Sequence, residues 1–205
     1  MIMSDPNALR SHAIRPLPFD PPSLHGLSAR LVTSHWENNY GGAVKRLNAI
    51  EQELAQLNWA TAPSFVLNGL KREQLIAMNS MLLHEVYFES LGPSEPGAAL
   101  ITQMEKDFGG FDRWAAEFAA LGKALAGGSG WVLLCWAARD GVLLNTWAGD
   151  HAHNLAGGIP LLALDMYEHS YHMDFGANAG AYVTAVMRNL NLAAATAKLE
   201  SSQGR

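Results

Sequence analysis

Apolar residues in the first half of the chain recur every three to four positions, which is the spacing of amphipathic helices. Residues 27–60 and residues 70–92 both follow this pattern, and the second stretch ends at Gly92-Pro93, a natural helix stop. A break or kink is expected in the first stretch at Gly41-Gly42. Two helices joined by a short connection predict a long antiparallel hairpin.

After Pro96 the pattern changes from long helices to short helices and strands. Residues 97–130 predict two short helices separated by Gly109-Gly110. Three apolar, strand-like runs follow, and Asp140-Gly141 between the first two is a strong hairpin signal. Residues 177–201 then return to helical composition and spacing. The three runs are GWVLLCWAA, VLLNTW and IPLLALD.

This order of elements predicts an α+β fold, in which an N-terminal helical hairpin precedes an α/β domain with a small antiparallel sheet of about three strands. The boundary is placed near Gly92 to Gly97, which divides the chain into residues 1–94 and residues 95–205. The segment RPLPFDPPSLHG is rich in proline and small residues, so the first part is expected to begin with an extended arm.

The composition is that of an ordinary globular protein, with 49% apolar and 16% charged residues. The formal net charge of -5 gives no strong attraction to nucleic acid or to an anionic membrane surface, so neither is expected as a partner. The single cysteine, Cys135, lies in an apolar run and is expected to be buried. No secretory signal and no apolar run of the ~20 residues that span a membrane are found, so we expect a cytoplasmic protein.

The segment DMYEHSYH places two acids and two histidines directly after the third apolar run. Buried carboxylates and imidazoles are costly unless a metal ion or an ion pair satisfies them. Asp165 and His169 are four positions apart, and they share one face if a helix begins after the run. Together they suit a divalent or trivalent metal ion. For these two residues alone, a helix-capping Asp165 and a hydrogen-bonded His169 are the simpler interpretation.

Two further histidines lie on the predicted hairpin, one on each arm. His35 ends an apolar-periodic stretch, and His84 lies on a largely apolar helix. If the arms pack together, both can meet Asp165 and His169 in a shell of three histidines and one carboxylate. Two histidines satisfied within the core are an equally good interpretation, and spacing alone does not separate the two.

Several blocks of the sequence resemble the iron/manganese superoxide dismutase family. DMYEHSYHMDF is similar to that family's D-x-W-E-H-x-Y-Y signature, and HEVYFESLGP is similar to its H-x-x-Y/F-W-x-x-L segment. All the blocks occur in the family's order, from about Leu17 to Leu199. The other blocks are RPLPFD, SHWENNYGGAVKRLN, FGGFDRW and GGSGWVLL.

The resemblance implies the fold predicted above and one iron or manganese ion in each subunit. It implies superoxide as the substrate, which such enzymes disproportionate to dioxygen and hydrogen peroxide. It does not separate iron from manganese, because both metals accept the same ligand set. Carried over to this chain, it assigns the metal ligands to His35, His84, Asp165 and His169.

The resemblance is incomplete around the expected metal site. The family usually places a glutamine near the metal-bound solvent, but the two corresponding positions are Ser80 and Gly149 here. Some members use a histidine instead, and the resemblance gives His151 this role if the alignment shifts by two residues. The alternative is a loop histidine in the polar turn GDHAHN. The family's pocket wall corresponds to Trp131 and Tyr167.

The family's dimer interface is also altered in this chain. Glu168 follows the family's pattern, in which a glutamate reaches the ligand histidine of the other subunit, and it implies a homodimer with two-fold symmetry. A histidine and a tyrosine that contact each other across the family's interface are replaced by Asn39 and His172. The family's gateway tyrosine is replaced by Ala43.

These departures leave three hypotheses about function. The intact ligand set favours a working superoxide dismutase. The missing glutamine and gateway tyrosine favour a protein that keeps the fold and the metal site but has lost or changed its activity, because a metal's potential depends on its surroundings. The space left by Ala43 is compatible with a metal-dependent enzyme that acts on another redox substrate.

Overall fold

A computed structural model of the chain describes residues 11–204, so the first ten residues of the predicted arm lie outside the described residues. Residues 11–28 contain no helix or strand apart from a short 3-10 turn at Pro21–Ser23. Asn48 fixes this arm to the hairpin. Its side-chain amide donates to the carbonyl oxygen of His12 at 2.9 Å and accepts from the amide of His12 at 2.8 Å.

The helical hairpin predicted from the apolar spacing is confirmed, and its second arm begins six residues earlier than the sequence pattern indicated. Ser28 caps the first helix, because its hydroxyl accepts a hydrogen bond from the amide of Leu31 at 3.0 Å. The two long helices, α2 and α3, pack side by side. In chain order the segments are α1 (Ala29–Ser34), a π-helical segment (His35–Tyr40), α2 (Gly41–Gln56) and α3 (Ser64–Glu89).

The predicted break at Gly41-Gly42 was wrong, because the helical irregularity precedes these glycines. The π-helical segment begins at His35, and Gly41 is the first residue of α2. A Cβ atom at Gly41 would lie 3.3 Å from Cδ1 of Ile14. This glycine therefore lets the N-terminal arm pack closely against the helix, and it does not kink the helix. π-Helical turns are rare and occur frequently at functional sites.

The second part of the chain contains short helices and strands in the predicted order. Gly109 and Gly110 separate the first two helices, with φ angles of 78° and 124° that favour glycine. The predicted C-terminal helix is divided in two, because the side chain of Asn191 caps a new helix by accepting from the amide of Ala194 at 3.1 Å. The elements are α4 (Ala98–Phe108), α5 (Phe111–Ala124), β1 (Trp131–Ala137), β2 (Val142–Ala148), β3 (Gly158–Asp165), α6 (His172–Phe175), α7 (Ala179–Arg188) and α8 (Leu192–Ser202).

The three predicted strands are confirmed and form one antiparallel sheet in the order β2-β1-β3. Trp131, the first residue of β1, pairs with Ala148 of β2 and with Asp165, the last residue of β3. Paired residues of antiparallel strands project on the same face, so the sheet sets Trp131 beside Asp165. A Cβ atom at Gly130 would lie 2.1 Å from the carbonyl oxygen of Ala148, so a glycine is needed where the chain enters β1.

One continuous core of buried apolar side chains extends through both parts of the chain. Helix α3 of the hairpin packs directly against β3 of the sheet. The division into residues 1–94 and residues 95–205 therefore stays a prediction, since no gap in the core marks it. Within residues 11–204, every helix is too short or too polar to cross a membrane.

Candidate metal centre

Four side chains from four separate segments converge at one buried point, and we call them the four-ligand group. One candidate ligand atom from each lies within 4.8 Å of the others. They come from the π-helical segment, from α3, from the end of β3 and from the 3-10 turn that follows β3. Three are buried, and the fourth keeps 26% of its side chain exposed. In that order, the members are His35, His84, Asp165 and His169.

One carboxylate oxygen of Asp165 forms the middle of the four-ligand group. Its Oδ2 lies 3.1 Å from Nε2 of His35, 3.2 Å from Nε2 of His169 and 3.6 Å from Nε2 of His84. The other oxygen, Oδ1, accepts a hydrogen bond from the amide of Tyr167 at 2.8 Å. Asp165 is thus not a helix cap, since the 3-10 turn begins at Glu168 with Tyr167 as its N-cap. One of its oxygens closes a local turn, and the other faces three imidazoles.

The local backbone around His169 differs from the predicted helix. Asp165 is the last residue of β3, and a 3-10 turn at Glu168–Ser170 carries His169 back toward it. The condition that a helix begins directly after the third apolar run is therefore not met, and the 3-10 turn brings Asp165 and His169 together instead. The next α-helix is the four-residue α6, beginning at His172.

The tautomer of His84 leaves one nitrogen free for a ligand bond. Its Nδ1 lies 2.7 Å from the carbonyl oxygen of Ser80, which can only accept, so Nδ1 carries the proton. The lone pair is then on Nε2, which points at Asp165. Both this atom and Nε2 of His35 are buried without a hydrogen-bond partner. A metal ion would satisfy both atoms, and the residues present therefore fit one.

Burial and neighbouring side chains hold three members of the four-ligand group, His35, His84 and Asp165, in the protonation state that metal binding requires. Burial and the neighbouring His35 lower the pKa of His84 to about 3. Burial also lowers the pKa of His35, although Asp165 opposes this. Burial would raise the pKa of the Asp165 carboxyl, but His169 and His35 outweigh it and hold that pKa well below its usual range. Neutral imidazoles beside an ionised carboxylate suit iron, manganese or zinc.

A second layer of side chains lies against the four-ligand group. Trp131 is fully buried, and its indole Nε1 donates to Nδ1 of His151 at 3.0 Å. Because the indole can only donate, Nε2 carries the proton of a neutral His151. The rings of His151 and Tyr167 stack at 4.7 Å, and the ring of His151 lies 6.2 Å from that of His84. Burial raises the pKa of Tyr167 to about 12, so its hydroxyl stays protonated.

The structure shows where each of the three positions considered for the missing glutamine lies relative to the four-ligand group. Ser80 lies beside His84, and its carbonyl oxygen accepts the hydrogen bond from Nδ1 of His84. A Cβ atom at Gly149 would lie 3.0 Å from the Trp147 ring, so Gly149 faces that indole. His151 is held inward by Asn79, whose side-chain amide donates to the His151 carbonyl oxygen at 2.6 Å. The ring of His151 thus approaches the four-ligand group.

Sequence reasoning missed the hydroxyl groups that fix the end of β3. The hydroxyl of Tyr182 donates to the carbonyl oxygen of Asp165 at 2.8 Å. The hydroxyl of Ser170 lies 2.9 Å from the same oxygen and 2.6 Å from the carbonyl oxygen of Tyr167, so its one hydrogen is shared between them. Tyr182 also lies 3.2 Å from the hydroxyl of Tyr87. Ser170 lies within the conspicuous DMYEHSYH segment, but nothing in the apolar pattern around Tyr182 indicated this contact. These bonds restrain the backbone that presents the carboxylate.

The residues expected at a dimer interface lie on the surface of the described chain. Glu168 and His172 are exposed, and Asn39 is partly exposed. Glu168 directly precedes His169, the member of the four-ligand group whose side chain is partly exposed. Ala43 is buried and lies beside a cavity between α2 and α3.

Comparison with known proteins reveals extensive similarity. Residues 96–198 match the family described as iron/manganese superoxide dismutases, C-terminal domain. The chain is 65% identical over 181 residues to a protein of Cupriavidus metallidurans named superoxide dismutase (Fe), covering 88% of this chain and 92% of that protein. It is 33% identical over 190 residues to a superoxide dismutase (Fe) of Aquifex aeolicus, covering 88% of each. It is also 30% identical over 202 residues to superoxide dismutase (Mn) 1 of Halobacterium salinarum, covering 96% of this chain and 99% of that protein.

The buried imidazoles predict how the stability of the metal-free protein depends on pH. The pKa of His84 is about 3 in the folded chain, whereas an exposed histidine has an ordinary pKa of 6.5. Its contribution to stability is therefore complete above about pH 6.5 and is lost as the pH falls toward 3, at about 1.4 kcal/mol per pH unit. Chemical denaturation of the metal-free protein between about pH 7 and pH 5 measures this slope. His84→Gln is expected to reduce the slope, whereas the exposed control His172→Gln leaves it unchanged. A wild-type slope in His84→Gln would contradict the assignment.

Proposed function

The chain belongs to the iron/manganese superoxide dismutase family, and on that premise we propose that its four-ligand group holds one iron or manganese ion in each subunit. The protein is a superoxide dismutase, which disproportionates superoxide to dioxygen and hydrogen peroxide. The observation that carries the site assignment is the pair of buried, unbonded Nε2 atoms of His35 and His84 around Oδ2 of Asp165.

The chemistry divides between the bound ion and the side chains around it. The ion, when bound, supplies reversible one-electron chemistry between its divalent and trivalent states. Two superoxide anions and two protons yield one dioxygen and one hydrogen peroxide, so the protein must also control where protons are held. The ionised Asp165 and the neutral His35 and His84 are free to bind a cation at neutral pH, because the folded chain already keeps them in that state.

We propose that His151 takes the place of the family's glutamine. The hydrogen bond from Trp131 leaves the proton of His151 on Nε2, as a donor beside the four-ligand group. Tyr167 stacks on the same ring, so His151 is held between two aromatic side chains. Trp131 and Tyr167 form the wall that limits water around this donor. The alternative of a free loop histidine is not favoured by these contacts.

The hypothesis of an inactive descendant loses its main support. It rested on the missing gateway tyrosine, replaced by Ala43, and mainly on the empty glutamine position, which His151 fills in this proposal. The relatives with the same family resemblance, including one at 65% identity, carry the name superoxide dismutase. Nothing in the four-ligand group favours another redox substrate.

We propose that the protein is a two-fold symmetric homodimer. The argument rests on His169, which keeps 26% of its side chain exposed although it is a proposed metal ligand. The exposed Glu168 lies next to it, so a second copy would cover this face and bring its own Glu168 toward His169. Asn39 and His172 would then lie at the same interface. We also place the protein in the cytoplasm, which suits its single buried thiol, Cys135.

The role of the carboxylate predicts the metal content of Asp165→Asn. Removing the buried charge weakens the attraction for a cation, so the variant is expected to retain less than about a tenth of the wild-type metal and activity. Elemental analysis and a superoxide dismutation assay on the same samples, after loading with iron or with manganese, measure both quantities. Asp140→Asn, in the exposed β1–β2 turn, is the control and should match the wild type. Equal metal retention by the two variants would reject the site.

The proposed role of His151 predicts an active-site defect without metal loss. His151→Leu is expected to keep its metal but to lose about 10–100-fold in kcat, because it removes the donor that Trp131 orients. The control is His153→Leu in the same loop, since His153 is 61% exposed and pairs with Asp150. Metal content and kcat are measured for both variants. Unchanged kcat in His151→Leu would show that the ring is structural only.

The dimer proposal is tested by a charge reversal at Glu168. Sedimentation velocity is expected to give a wild-type mass of twice the 22.2 kDa chain and a Glu168→Lys variant shifted toward the monomer. Glu200→Lys, an exposed residue at the end of α8, is the control for the change in net charge. A monomeric wild type, or a Glu168→Lys variant that remains fully dimeric, would contradict the proposed interface.

A further inference from the structure

A trough runs between α2 and α3 and encloses a cavity of about 360 Å³. Its inner end is formed by Ser80 and His151. The carbonyl oxygen of Ser80 accepts a hydrogen bond from His84, and the ring of His151 lies 6.2 Å from the ring of His84. The trough therefore stops about one side chain away from the four-ligand group.

The trough is open because small residues face each other across the two helices. Gly42 and Ala43 lie on α2, and Ala77 lies on α3 one turn before Ser80. A Cβ atom added at Gly42 would meet no other atom within 4 Å, so the space above it is free. Asn38, Asn39 and Ile76 also line the trough, and its volume leaves room for a diatomic anion and accompanying water.

Arg46 is the only fully charged side chain that lines the trough among the described residues. It lies one turn beyond Ala43 on α2, away from the inner end. Its guanidinium group binds the carboxylate of Glu73 on α3, and Arg72 contacts the same carboxylate at 3.1 Å. Two guanidinium groups share one carboxylate, so this cluster keeps a net positive charge.

The position of Arg46 matters because the substrate is an anion and the whole chain is acidic. A formal net charge of -5 repels superoxide at long range. A local cation at the mouth of a low-dielectric cleft raises the local concentration of an anion and its rate of association, and salt weakens this effect. Glu73 opposes the attraction, because its carboxylate neutralises part of the guanidinium charge.

We propose that Arg46 is the residue that draws superoxide into the α2–α3 trough, and that Glu73 limits its strength. This inference rests on the proposed function, since it requires an anionic substrate at the four-ligand group. Arg46 acts before the chemistry, on substrate entry. Its loss should therefore lower kcat/KM and leave metal content unchanged.

The test compares Arg46→Gln with Arg72→Gln in the metal-loaded protein. The two residues are a matched pair, because both bind Glu73 and their side chains are 61% and 62% exposed, but only Arg46 lines the trough. At low ionic strength, Arg46→Gln is expected to lower kcat/KM about 3–10-fold and to flatten its salt dependence. Arg72→Gln should change it less than about 1.5-fold by the same argument. Glu73→Gln should raise kcat/KM at low salt.

A second readout does not depend on turnover. Azide is a small anion, and its dissociation constant for the iron-loaded protein can be followed by visible absorption. Arg46→Gln is expected to weaken azide binding at low salt, and Arg72→Gln is not. Equal effects of the two substitutions on kcat/KM and on azide would overturn the proposal, because only net charge would then matter. If the wild type binds iron but does not dismutate superoxide, the proposed function fails and azide affinity alone decides the role of Arg46. A wild-type protein that neither binds iron nor dismutates superoxide would overturn both the proposed function and the role of Arg46.

Discussion

The burial of one ionised carboxylate is the constraint on which the rest of this structure depends. Asp165 is fully buried, and among the described residues the only basic side chains close to its carboxylate are histidines. A charge in such a place is costly unless a cation compensates it. Burial keeps His35 and His84 neutral, so they offer lone pairs rather than charge. An ion at the centre of the group satisfies the carboxylate and the imidazoles together, and the proposed function follows from that requirement.

The fold explains how a carboxylate can be held in this position. The sheet pairs Asp165 with Trp131, and the hydroxyls of Tyr182 and Ser170 restrain its backbone. Trp131 in turn donates a hydrogen bond to His151. The pairing of β1 with β3 therefore positions both the Asp165 carboxylate and the His151 ring. The hairpin supplies the imidazoles of His35 and His84. Its small-residue trough is the approach that we propose for the anion. The sheet and the helical hairpin thus position the candidate ligands, the His151 ring and the proposed route for the substrate.

Much of this arrangement could be predicted from the sequence, but not all of it. The strands were predictable because unbroken apolar runs and Asp140-Gly141 encode a buried sheet with a hairpin. The four-ligand group followed from the family resemblance, whereas spacing alone left His35 and His84 as either ligands or core residues. The sequence left open whether a helix begins directly after β3; it does not, because the Oδ1 atom of Asp165 accepts a hydrogen bond from the amide of Tyr167, which favours a tight turn. The role proposed for Arg46 could not be foreseen, since it depends on the register of α2 against α3.

The most direct measurement of the central claim is a crystal structure of the metal-loaded protein, with anomalous diffraction recorded on both sides of the iron and manganese absorption edges. This account predicts one anomalous peak in each chain, within bonding distance of the three Nε2 atoms and of Oδ2 of Asp165. A metal-loaded crystal without a peak at that point, or with its peak at another cluster such as Asp150 and His153, would contradict it.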